Sequence, residues 1–100
     1  MELPTKECTT YPMLKRFVEQ QGVKVIECPQ KTTRLYGKAH HTPPVIKIYP
    51  LAFKDNVAYQ TLLHEYIHIF LGPGFGHHSL FKILLERYGL KPSRFIYRGD

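Results

Sequence analysis

One hundred residues make one domain, 1–100, and 43% hydrophobic with 13% aromatic content lets it bury a modest core of its own. No run of 18 apolar residues occurs, which excludes a helical membrane span, and Met1 to Lys6 lacks an apolar signal core, so an intracellular location is expected. A net charge of +6 suits nucleic acid or another polyanion, and equally a plain basic surface.

The first eleven residues are polar and are expected to be loose. Pro12 suits a first helical turn, and Leu14, Phe17, Val18 and Gln21 follow at helical spacing up to Gly22, so the first helix is placed at 11–21. Val23 to Cys28 is rich in β-branched residues and reads as a strand, broken by Pro29-Gln30-Lys31. Thr33 to Ala39 alternates, with Leu35 and Ala39 on one side and Arg34, Tyr36 and Lys38 on the other. Val45 to Tyr49 alternates again, with Ile46 and Ile48 inward. His40-His41-Thr42-Pro43-Pro44 joins the two strands, and its histidines read as solvent-facing. Cys8 and Cys28 lack the spacing of a zinc ribbon and read as reduced thiols.

From Cys28 to Lys54 there is no Asp or Glu. Arg34, Tyr36, Lys38, Lys47 and Tyr49 are placed on one outer sheet face, where interleaved cations and rings can contact phosphates and bases. The competing reading is an ordinary solvated face. Asp55 is expected to cap a helix over 55–71, and Gly72 to Gly76 forms the following loop. A last helix runs from Ser79 to Tyr88, closed by Gly89, and Phe95-Ile96-Tyr97 is a short strand or a tail on the core. The fold class is α+β: an N-terminal helix, a small three-stranded sheet and two further helices.

Within the helix over 55–71 stands His64-Glu65-Tyr66-Ile67-His68, an H-E-x-x-H. Positions i and i+4 share a helix face, so both imidazoles can reach one metal ion, and Glu65 can deprotonate the water that the metal activates. The competing reading is two buried histidines and a surface Glu. A catalytic zinc takes three protein ligands. The candidates for the third are His77, His78 and Glu86. His77, Phe81, Leu84 and Tyr88 fall on one apolar helix face, Glu86 lies half a rotation away, and His78 shares a poorer stripe with Lys82 and Leu85. Phase favours His77.

The stretch Thr61-Leu62-Leu63-His64-Glu65-Tyr66-Ile67-His68, with Gly76-His77 and Phe81 downstream, resembles the SprT-like (Spartan-type) zinc metalloproteases. Arg34-Leu35-Tyr36-Gly37 followed by Ile46-Lys47-Ile48 is similar to the hairpin that precedes the active-site helix in that family. His78 stands where the family usually has Gly. The resemblance covers residues 33–89. It implies a zincin-like fold, one Zn2+ per chain held by His64, His68 and His77, Glu65 as general base, and cleavage of proteins associated with DNA. An extended substrate is expected along the strand at 45–49. Tyr36, Tyr88, Arg94 and Tyr97 are the candidate oxyanion donors. The function expected is thus a zinc endopeptidase acting on protein or peptide, with DNA as a candidate partner. The alternatives are a general or latent small peptidase whose charge is incidental, and a non-catalytic zinc-stabilised binding module.

Overall fold

Thr10 starts the first helix, α1 (Tyr11–Gln20), by accepting the Met13 amide on its side chain, with Pro12 in the first turn. In this computed structural model, which describes residues 1–29, 34–74 and 79–89, the helix ends at Gln21, and Gly22 reverses the chain at φ +85°. That left-handed conformation is open to glycine at no steric cost. Leu14 and Val18, one turn apart, are fully buried and turn α1 onto the core.

Three short strands follow: β1 (Lys24–Glu27), β2 (Gly37–His40) and β3 (Val45–Ile48). Their order is β1-β3-β2, with β3 parallel to β1 and antiparallel to β2. Val25, Ile46 and Ile48 alternate inward and are buried, as the period-two pattern requires. The strand expected over 33–39 forms only from Gly37 among the described residues. The Tyr49 amide still donates to the Tyr36 carbonyl at 2.9 Å, and the chain then leaves the sheet as α2 (Pro50–Lys54), with Pro50 in its first turn.

That short helix is absent from the sequence reading, and with it goes the expected cap. Asp55 closes α2 rather than opening the next helix, and its carboxylate accepts the Tyr36 hydroxyl at 2.7 Å. Asn56, at φ +59°, breaks the helical run, so α3 spans Ala58–Leu71. Every residue from Thr61 to Ile69 is buried. More than two helical turns are therefore enclosed on all sides, by α1, β2, β3 and α4 (Ser79–Arg87). Leu84 and Leu85 of α4 close the core, while Lys82 and Glu86 are exposed.

The N-terminal segment is held, contrary to the expectation of a loose tail. Tyr66 donates its hydroxyl to the Glu2 carbonyl, Tyr88 to that of Pro4 at 2.8 Å, and Tyr59 to that of Cys8 at 2.7 Å. Polar composition concealed this because the segment binds through backbone carbonyls, which every sequence has. Residues Gln30 to Thr33 and the Phe95–Tyr97 element lie outside the described residues, and no described helix is long and apolar enough to cross a membrane.

Burial pushes the Tyr66 phenol up to about 12 and raises those of Tyr59 and Tyr88 as well. A phenol raised in the folded state contributes stability that is complete below the unfolded value near 10 and is lost as pH rises through the folded value. Unfolding by base is therefore expected to begin above about pH 10. Tyr59→Phe and Tyr88→Phe are each expected to cost about 1 kcal/mol at neutral pH and to weaken the alkaline loss, read from urea midpoints across a pH series.

Candidate metal centre

Helix α3 brings the motif together without help from any other element. His64 and His68 sit one turn apart on one face, with ring centroids 5.0 Å apart and ring planes at 73°. Exposure is 1% for His64, 0% for Glu65 and 7% for His68. The competing reading expected a surface Glu, whereas Glu65 lies entirely inside. Two imidazoles and a carboxylate are a costly set to bury in an apolar helix, and a divalent cation compensates that cost directly.

What fixes the site against the sheet is Gly37, the first residue of β2. A Cβ added there would lie 2.7 Å from Thr61 Cγ2, 2.9 Å from the Lys47 carbonyl oxygen and 3.4 Å from Glu65 Cγ. Only a residue without a side chain lets the strand backbone settle against α3 at this point. Thr61 lies one turn before Glu65, is 1% exposed, and its hydroxyl has no hydrogen-bond partner among the described residues. Neither Gly37 nor Thr61 stood out as a site residue in the sequence. The available signal was a glycine inside an alternating strand pattern.

Among the described residues no group of three or more His, Cys, Asp and Glu converges on one point. The described chain supplies His64 and His68, while His77 and His78 lie outside it. Glu86 is solvent-exposed on α4. Of the candidate oxyanion donors, Tyr36 gives its hydroxyl proton to Asp55 and Tyr88 gives its own to the Pro4 carbonyl. Arg94 and Tyr97 lie outside the described residues. The donor set that is described suits zinc: two imidazoles one helical turn apart, with a carboxylate beside them.

The expected substrate strand needs correcting. β3, at 45–48, is the middle strand and is paired on both sides, so it cannot take an added peptide. The strand beside Glu65 is β2. Of the residues expected at a nucleic-acid face, Lys38 and Lys47 are register partners. Tyr36 is drawn to Asp55 instead, and Arg34 is exposed just before β2. Both cysteines are free thiols.

Comparisons with family models, with curated proteins and with solved structures find no match to this chain.

Gly37→Ala is expected to push β2 off α3 and destabilise the fold by about 1–3 kcal/mol. Urea midpoints of the purified variant check it.

Proposed function

We propose that the chain is a minimal zinc-dependent endopeptidase of the SprT-like kind, with a zincin-like fold, acting on protein or peptide substrates. The observation that carries this reading is the burial of His64, Glu65 and His68 together on one helix that a strand touches through Gly37. His64 and His68, with His77 as third ligand, would hold one zinc. When bound, that ion would make a water acidic enough to ionise near neutral pH and would polarise the substrate carbonyl.

The work of the chain itself falls to Glu65. Its carboxylate takes the proton of the attacking water and then gives it to the leaving amine nitrogen, so one group serves as base and then as acid. Exclusion of bulk water around a fully buried carboxylate strengthens every interaction it makes with charge developing beside it. An extended substrate is assigned to β2, the outer strand beside Glu65, where main-chain pairing would set the scissile bond over the helix. The basic charge makes nucleic-acid-associated proteins the first substrates to assay, alongside a general one such as casein.

Glu65→Gln is expected to keep one zinc per chain and lose cleavage by about 10²–10⁴-fold. His64→Ala is expected to lose the metal and cleavage together. Zinc content and casein digestion, measured side by side on the three proteins, decide it. A Glu65→Gln protein that cuts as well as wild type sinks the assignment of the base. One zinc with no cleavage of any substrate would make the metal a structural part of a binding module.

A further inference from the structure

Thr61, His64, Glu65 and His68 fall at i, i+3, i+4 and i+7, one stripe of α3. Thr61 is the member that stands outside the H-E-x-x-H. It is 1% exposed, and its methyl carbon meets the bare backbone of Gly37 at the same point as the Glu65 γ-carbon. A threonine inside a helix ordinarily turns its hydroxyl back to the carbonyl one turn before. Here the Val57 carbonyl accepts the Thr61 amide at 2.9 Å, and the hydroxyl bonds neither to it nor to any other group among the described residues. A hydroxyl buried in this way is costly unless it is paired. A valine side chain has nearly the same shape and carries no such cost. Packing against Gly37 therefore accounts for the methyl of Thr61 and leaves its oxygen to be explained.

We propose that Thr61 is a positioning residue for Glu65: its hydroxyl donates to one carboxylate oxygen and leaves the other for the attacking water. This role rests on Glu65 being the base of the proposed peptidase. Two features of the helix bring the groups together. Side chains on a helix lean towards its N-terminus, so Glu65 leans over the turn that holds Thr61. The methyl and hydroxyl of Thr61 branch from one carbon, so the contact of the methyl with Gly37 also fixes the direction of the oxygen. Glu65, by contrast, has three side-chain torsions to be set. A charge-assisted bond from a rigid donor sets the last of them and holds the carboxylate plane in one orientation. An ionised carboxylate is acceptor only, and the threonine proton is the donor that matches it. That proton stays on the Thr61 oxygen throughout. Thr61 holds the base still and takes no part in the transfer.

Thr61→Val keeps the methyl against Gly37 and removes the donor, whereas Thr61→Ser keeps the donor and removes the methyl. In the wild-type background Thr61→Val is expected to lower the urea midpoint by about 0.5–1 M through the lost charge-assisted bond. Glu65→Leu, or Glu65→Met where the branched side chain does not fit, removes the acceptor. In that background Thr61→Val should leave the midpoint equal or raise it. A hydroxyl that served packing alone would shift both backgrounds alike. This cycle reads stability without any cleavage assay, so it decides the Thr61–Glu65 bond even if the chain cuts nothing, an outcome that would sink only the peptidase reading. On zinc-loaded protein, Thr61→Val is expected to keep one zinc per chain and an unchanged KM for a casein-derived peptide, and to lower kcat about tenfold or more. Thr61→Ser is expected to stay within about threefold of wild-type kcat. Equal midpoint shifts in the two backgrounds overturn the proposal. So does a Thr61→Val protein with wild-type kcat, or a Thr61→Ser protein as slow as Thr61→Val.

Discussion

Helix α3 has no solvent side from Thr61 to Ile69, and the rest of the molecule is arranged by the need to enclose it. A helix buried all round must be walled by several elements at once. Here α1, the sheet and α4 each supply one wall, and α2 turns the chain into position at its start. The enclosure leaves the polar residues of α3 from Thr61 to His68 little recourse to water. Glu65 falls on the side that β2 approaches at Gly37, and His64 and His68 share a face one turn apart. Tyr66 lies about 200° of rotation from either histidine, and Tyr59 falls almost in line with it.

One helix thus serves two purposes on opposite sides. The tyrosine side fastens Glu2 and Cys8 through backbone carbonyls, and Phe17 of α1 packs edge-on against the Tyr66 ring at 6.1 Å. The other side carries His64, Glu65 and His68. Packing on the first side holds the second still, because a helix that cannot rotate or slide keeps its side chains in register. The single glycine contact at Gly37 completes the arrangement by fixing how near the sheet can come.

Much of this could be read from residue patterns, and the exceptions have physical reasons. Pro12 with Gly22 marks α1 to within a residue, and alternation marks β3. The helical spacing of the H-E-x-x-H gives the two histidines and the carboxylate directly. Strand order was not legible, because alternation says which residues share a face and nothing of which strand lies between the others. That is why 45–49 looked like an edge. Asp55 looked like a cap because caps are recognised by residue type, whereas a hydroxyl from Tyr36, 19 residues away, decided its role. The tyrosine–carbonyl bonds were invisible for a related reason: half of each bond is main chain.

Those bonds have a consequence for the order in which the molecule is assembled. The Tyr88 hydroxyl meets the Pro4 carbonyl across 84 residues of sequence, and Tyr66 reaches Glu2 across 64. During synthesis residues 2–8 leave the ribosome before their seat exists, because α3 and then α4 follow them in sequence. This segment therefore stays undocked until both helices have been made. Its docking is a closing event that seals the core from behind the helix, after the strands have already met.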